Sequence, residues 1–281
     1  MSLALKIVLI VLAALAVVAI LASCVVKYME NAAKHAKPKE NLPFADKVEL
    51  VSHRGLGCIA PENTASAFTK AGEYGFKYCE CDIHQSADGE FFVSHDATLN
   101  RMTDSEGEIS EMTSQQILQA GINNGSNAKL YLGEKVPTLS RFLEICAKYG
   151  MRPVIEIKQK ENFDVKKFCD LLKSKKLDGS AVVIGYNVEY LRRVREFLPK
   201  TELQILCRNI SEQVIEQAAE IGGCGIDIMQ NFLKDKDLIK RAKEKGLKLN
   251  AWTVDSAAAL KRMYNLGIDM VTTNCILPKS V

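Results

Sequence analysis

The chain has 281 residues, 47% of them hydrophobic and 25% charged, an ordinary globular composition that excludes wholesale disorder and collagen-like repeats. Thirty-seven Lys and Arg against 34 Asp and Glu leave a formal charge of +3, too small an excess to point to a nucleic-acid partner. With 17 Gly and 7 Pro it is not low-complexity, and its length suits one large domain or two small ones.

The stretch from Ile7 to Val26 carries no charge. At about 1.5 Å per residue such a helix spans roughly 30 Å, the thickness of a bilayer core. It lacks the polar stripe that a core helix of that length shows. Residues 1–26 therefore read as an N-terminal membrane segment. Two fates stay open, an uncleaved single-pass anchor and a cleaved signal, because Leu21-Ala22-Ser23-Cys24 resembles a bacterial lipoprotein box in which Cys24 is lipidated. A lone Lys6 ahead of the segment, and Val25 and Val26 running on past Cys24, favour the anchor. Lys27, Lys34, Lys37 and Lys39 on the far flank favour a cytoplasmic remainder. The nine Cys, odd in number and without disulfide spacing, point the same way. Residues 27–46 are polar, carry Pro38 and Pro43, and read as a linker.

Beyond the linker the apolar period switches repeatedly between two and 3.6. A strand over 48–53 precedes a helix over 64–74 and a strand over 78–84. An Asp88-Gly89 turn then folds back a short extended piece at 91–94 as a hairpin. A helix over 139–149, a strand over 154–157 and a helix over 163–173 follow. Further strands are predicted at 182–186, 203–206, 225–229, 247–254 and 270–273, with helical stretches near Tyr190, Val214, Ile239 and Leu260 between them. Alternation of this kind implies parallel pairing through right-handed crossovers. Eight such units over residues 47–281 suit an α/β fold of the (β/α)8 barrel type, which typically takes about 250 residues. A doubly wound open sheet is disfavoured, because no glycine-rich phosphate loop follows the first strand.

The ionisable residues gather at the strand ends, where a barrel carries its chemistry. The first strand ends in His53-Arg54-Gly55. In the second, Glu80, Asp82 and His84 share one face while Cys79, Cys81 and Ile83 share the other. Glu156 and Lys158 repeat the pattern on the next parallel strand. Carboxylates side by side on an inward face repel unless a cation lies between them, and oxygen ligands suit Mg²⁺, Ca²⁺ or Mn²⁺. A structural ion-pair network is the competing explanation. His53 and His95, both at predicted strand ends, add the acid and base that in-line cleavage of a phosphodiester needs, and Arg54 and Lys158 add charge to offset its non-bridging oxygens.

His53-Arg54-Gly55 with Ala60-Pro61-Glu62-Asn63-Thr64 resembles the opening of the glycerophosphodiester phosphodiesterase family. The resemblance runs on through Glu80-Cys81-Asp82, Asp88-Gly89, His95-Asp96 with the following Ala97 to Thr103, Val136-Pro137-Thr138-Leu139, Glu156-Ile157-Lys158 and Ala251-Trp252-Thr253-Val254. It implies a barrel with a small insertion after the second strand, here about 91–137. It also implies hydrolysis of small-molecule glycerophosphodiesters to sn-glycerol 3-phosphate and an alcohol with a divalent cation, Ca²⁺ or Mg²⁺. By motif, His53 is the general base and His95 the general acid. Glu80, Asp82 and Glu156 are the metal ligands, Arg54 and Lys158 hold the phosphate, and Glu62 is a support. Trp252 faces the glycerol or alcohol pocket or packs in the barrel core. The family's secreted lipid-pathway members pull toward the outer side of the membrane, so the side is left open. Two departures stand out: Cys81 replaces an apolar residue, and Asn274 stands where the family carries an acidic residue before the Pro. A lysophospholipase D-like action on membrane lipids is the alternative, and a non-catalytic membrane-tethered barrel a weaker one. Head group and oligomeric state are not legible.

Overall fold

Eight short parallel strands, each buried on both faces, decide the architecture. The structure is a computed structural model and describes residues 37–279. In chain order its regular elements are β1 (Glu49–Ser52), α1 (Ala65–Glu73), β2 (Tyr78–Gln85), β3 (Phe91–Val93), α2 (Ser114–Gln119), α3 (Leu139–Tyr149), β4 (Arg152–Ile157), α4 (Val165–Ser174), β5 (Val182–Gly185), α5 (Val188–Phe197), β6 (Glu202–Cys207), α6 (Glu212–Ile221), β7 (Cys224–Met229), α7 (Lys236–Glu244), β8 (Leu249–Trp252), α8 (Ala257–Asn265) and β9 (Met270–Thr273). The parallel strands run in the order β1-β9-β8-β7-β6-β5-β4-β2, and pairing of β1 with β2 closes the barrel. β3 folds back antiparallel on β2, as the Asp88-Gly89 turn predicts. The eight predicted strands are thus all present, and the barrel is the fold.

The interior is built from inward-facing residues of alternate positions. Val51, Tyr78, Val154, Val182, Ile184, Leu206 and Met270 form one buried cluster. Fully burying an aliphatic side chain contributes about 1.5–3 kcal/mol, so this plug stabilises the closed cylinder. A small polar group sits within it: Asn250 donates to Gln204 at 3.4 Å and to Thr272 at 3.2 Å. The outward faces pack under the helices, which is why the strands read as near-continuous apolar runs.

Every barrel helix starts on a capping side chain that accepts from its first turn: Thr64, Thr138, Asp164, Asn187, Ser211, Asp235 and Ser256. Each cap is worth about 1 kcal/mol, and together they fix where the loops at the C-terminal ends of the strands stop. The insertion has its own small core of Phe92, Leu99, Ile109, Ile117, Ala120 and Val136. Its helix α2 was not predicted; it is six residues long and held by a Thr113–Gln116 capping box rather than by an apolar stripe.

The predicted membrane segment at 7–26 and residues 27–36 of the linker lie outside the described residues. Among the described residues no helix is long and apolar enough to cross a membrane. The rest of the expected linker packs on the barrel. Lys39 pairs with Ile276 in a parallel bridge, the Phe44 ring stacks on Tyr264 at 4.7 Å, and Ala45 is buried. All eight described cysteines are free and buried, consistent with the absence of disulfide spacing.

One close approach sets the seam between α1 and α3. A Cβ on Gly72 would meet Tyr149 Cγ at 2.3 Å and Cβ at 2.6 Å, near the root of that side chain, where it cannot swing away. Gly is normally worse than Ala in a helix by about 1 kcal/mol. Here Gly72→Ala is expected to reverse that sign and destabilise the fold by about 1–3 kcal/mol, the usual cost of overpacking, measured by urea unfolding. An unchanged or higher midpoint would count against the tight seam.

Candidate active site

At the C-terminal ends of the strands lies a cavity of about 530 Å³. Seven of the predicted site residues line it: His53, Arg54, Glu80, His95, Glu156, Lys158 and Trp252. Asp82 lies beside it, fully buried, and Glu62 stands behind Arg54. The cavity therefore brings together residues from β1, β2, β4, β8 and the insertion.

The three carboxylates meet as their strand positions require. Asp82 pairs in register with Glu156 across β2 and β4, and Glu80 is one pleat below on the same face. One oxygen from each lies within 4.8 Å of the others. Burial, then the proximity of Asp82 and Glu156, pushes the Glu80 carboxyl well above the usual carboxylate range. Burial and Asp82 push Glu156 up to about 7. Asp82 goes the other way: burial opposes ionisation, but Arg54 together with His95, Lys158 and His53 outweighs it and holds the carboxyl well below its usual value. The trio has the donor set and spacing that a divalent cation satisfies. Asp82 Oδ1, buried and without a hydrogen bond, points to the same need.

Arg54 is held by sequence-local means. Arg54 and Gly55 take left-handed backbone, φ 55° and 74°. A Cβ on Gly55 would meet the Ala67 carbonyl carbon at 2.6 Å, so only glycine lets this loop lie on α1. The turn aims the Arg54 backbone N–H at Glu80 Oε2, 2.8 Å away. Its guanidinium then pairs with Asp82 at 3.2 Å and Glu62 at 2.9 Å. The Asp82 contact is an ion pair out of line for a hydrogen bond, which leaves Nε unpartnered in that sense. Lys158 reaches Glu156 at 3.1 Å and Asp82 at 3.7 Å. Both predicted phosphate-binding cations thus border the acidic trio.

The two imidazoles are oriented by different partners. Asn274 donates its amide to Asp255 at 2.7 Å, which leaves its oxygen to accept from His53 Nδ1 at 2.7 Å. Asp255 also accepts from the Asn274 backbone and the Thr273 hydroxyl. The chain of bonds assigns the Nδ1–H tautomer and leaves His53 Nε2 with a free lone pair. Burial, reinforced by Arg54, holds the His53 imidazole down to about 4, so it is neutral at physiological pH. His95 Nδ1 pairs with Asp96 at 2.8 Å, and Arg101 grips Asp96 from the other side. Arg101 also reaches Glu62 at 2.7 Å, so Glu62 ties the His53-Arg54 loop to the insertion that carries His95. Between Arg54 and Arg101, and despite its burial, the Glu62 carboxyl is held down to about 2.

Residues 53–277 match the glycerophosphoryl diester phosphodiesterase family. The chain belongs to that family and is an enzyme of its class. It is 28% identical over 233 residues to the glycerophosphodiester phosphodiesterase of Caldanaerobacter subterraneus subsp. tengcongensis, covering 81% of this chain and 94% of that protein. It is 27% identical over 260 residues to that of Bacillus subtilis, covering 85% and 87%. The structure of an Oleispira antarctica phosphodiesterase in complex with the product sn-glycerol-3-phosphate superposes with a TM-score of 0.73 at 26% identity, over 83% of this chain and 93% of that one.

Within this glycerophosphodiesterase site several residues escaped the sequence reading. Asn63 donates to Asp82 at 2.8 Å from left-handed backbone at φ 57°, a conformation that favours Asn; its signal was its place in the Ala60 to Thr64 block, which assigned it no role. Asp96 and Arg101 lay in the His95 to Thr103 block without an assigned role, and Asp255 and Asp227 carried no signal beyond residue type.

A carboxylate in place of the Asn274 amide would favour the charged imidazole. Asn274→Asp is therefore expected to raise the His53 value from about 4 and to move the acid limb of the kcat/KM profile to higher pH by about one unit or more, the size typical of a neighbouring carboxylate. The carboxylates of the trio titrate in both proteins, so a limb that does not move would show that His53 does not set it.

Proposed function

We propose that this protein hydrolyses glycerophosphodiesters to sn-glycerol 3-phosphate and an alcohol, with His53 as general base and His95 as general acid. The observation that carries the reading is that both imidazoles, from separate strand ends, line the one cavity bordered by Glu80, Glu156, Arg54 and Lys158. His53 Nε2 takes the proton from the attacking oxygen. As the bond from phosphorus to the leaving oxygen breaks, His95 supplies a proton to that oxygen. Each such transfer is typically worth 10²–10⁴-fold in rate. Arg54 and Lys158 offset charge on the non-bridging oxygens. Glu80, Asp82 and Glu156 would hold a divalent cation, Ca²⁺ or Mg²⁺, which when bound adds positive charge at those oxygens. Asp96 and Asn274 orient the two rings.

His53→Ala and His95→Ala are each expected to lower glycerol 3-phosphate release from glycerophosphocholine by about 10³-fold or more in a coupled assay, with an unchanged circular dichroism spectrum. The same assay in excess chelator is expected to fall to background and to recover on adding Ca²⁺ or Mg²⁺. Wild-type turnover in either variant removes that residue's role, and full activity in chelator removes the cation.

The uncharged run from Ile7 to Val26 supports a bilayer location for the full chain, as a single-pass anchor or through Cys24. The full chain is expected to sediment with membranes and to stay there through an alkaline carbonate wash. Release into the supernatant would rule the membrane segment out.

A further inference from the structure

Across the barrel from β2 stands β7, and on it Asp227 faces inward. Its side chain is 1% exposed, and Oδ1 makes no hydrogen bond. It lines the same cavity as the histidines but plays no part in the acid–base or phosphate chemistry derived above. On the neighbouring strand Asp227 pairs in register with Asn250. Trp252, two residues on along the same face, therefore lies diagonally above it toward the mouth. Trp252 Nε1 is also buried without a hydrogen-bond partner, while the residue lines the cavity and packs on the core. Ile184, Leu206 and Met229 give this wall apolar surface, and Tyr186, Arg208 and Thr272 also line the cavity.

Two buried polar atoms without partners cost stability. An unpaired buried polar group typically costs about 1–3 kcal/mol. They are of complementary kind: the indole N–H can only donate, and the carboxyl oxygen can accept. A hydroxyl does both, taking a hydrogen bond from one and giving its own to the other. An ammonium group suits the pair poorly. It cannot accept from the indole, and burial keeps the Asp227 carboxyl well above the usual carboxylate range, so the charge that would hold a cation is missing.

We infer that Asp227 and Trp252 form a hydroxyl-binding subsite that reads the terminal hydroxyl of the substrate's glycerol moiety. The inference rests on the phosphodiesterase reading and deepens it. With phosphate at Arg54 and Lys158 on one side of the barrel, the free end of the glycerol reaches the opposite wall. A substrate with an acyl chain on that hydroxyl could neither donate to Asp227 nor fit a wall closed by the barrel core, so the subsite selects deacylated diesters over lysophospholipids.

The test compares glycerophosphocholine with 2-hydroxypropyl phosphocholine, in which hydrogen replaces only the terminal hydroxyl. Sites that hydrogen-bond a substrate hydroxyl reject the analogue lacking it strongly, so the wild type is expected to prefer glycerophosphocholine by at least about 100-fold in kcat/KM. Asp227→Leu should lower kcat/KM on glycerophosphocholine by about the same factor and leave the analogue within about threefold, so that discrimination collapses. Trp252→Phe, which removes the N–H along with the five-membered ring and keeps an aromatic face, should erode it by about tenfold. Asp227→Asn, which keeps a hydrogen-bonding oxygen, should retain most of it. Asp227→Leu should also melt at or above the wild-type temperature, because no partner is lost. Equal losses on both substrates, lower melting of Asp227→Leu, or a wild type indifferent to the hydroxyl would each overturn the subsite while leaving the phosphodiesterase reading intact. A wild type that cleaves neither diester under any added cation would overturn that reading, and the subsite with it.

Discussion

The arrangement turns on three carboxylates that cannot all be charged where they are. Two unit charges about 4 Å apart repel by about 4 kcal/mol at the effective dielectric of a protein site, and Glu80, Asp82 and Glu156 crowd within that order of distance. Arg54 and Lys158 supply two positive charges against three negative ones. The imbalance is visible in the opposed titration of neighbours: Asp82 takes Arg54 and stays ionised, while Glu80 and Glu156 are pushed toward the neutral form. A barrel end tolerates such a cluster because closure of the sheet and capping of every barrel helix hold the backbone rigid beneath it. The same rigidity makes the cluster useful, since the carboxylates cannot relax apart.

The loop around the trio is wired to serve it. Glu62 bridges Arg54 and Arg101, so the loop after β1 that carries His53 and the insertion that carries His95 share one anchoring charge. The proton-donor role proposed for His95 suits a ring backed by the Asp96 carboxylate. The base role of His53 suits a ring backed by the Asn274 amide. Asn274, the departure from the family pattern, thus becomes intelligible as a neutral partner that is itself gripped by an acid, Asp255, one bond further out.

Strand alternation made the trio legible. Period-two reading put Glu80, Asp82 and Glu156 on inward faces, and the barrel's parallel register brought them level. The helix α3 lies where its apolar period put it. What stayed hidden depends on contacts distant in sequence. The His53–Asn274 bond spans 221 positions and the Arg101–Glu62 bond 39, and no local pattern encodes either. Residues 37–46 read as a linker because they are polar and carry two prolines. They pack on the barrel through one backbone bridge and one aromatic stack, which composition does not record. Asp227 read as one more residue of an apolar strand. Its meaning comes only from having nothing to bond to.

That last property extends beyond one side chain. Among the described residues six buried side-chain atoms lack a hydrogen-bond partner, and four of them, on Arg54, Asp82, Asp227 and Trp252, belong to the catalytic end of the barrel interior. Folded chains normally pair buried polar atoms, and among the described residues only Ser52 Oγ and Arg195 Nε fail to do so outside this site. Concentrating the exceptions in one cavity means the site is stable only at the expense of the apolar plug below it and the capped helices around it. On the reading proposed above, the missing partners come from the bound ligand. Arg54 and Asp82 lie on the side where phosphate and cation are proposed to bind, Asp227 and Trp252 on the side where a hydroxyl fits. A ligand anionic at one end and hydroxylated at the other, as the proposed glycerol phosphate is, would meet both sets of unmet bonds.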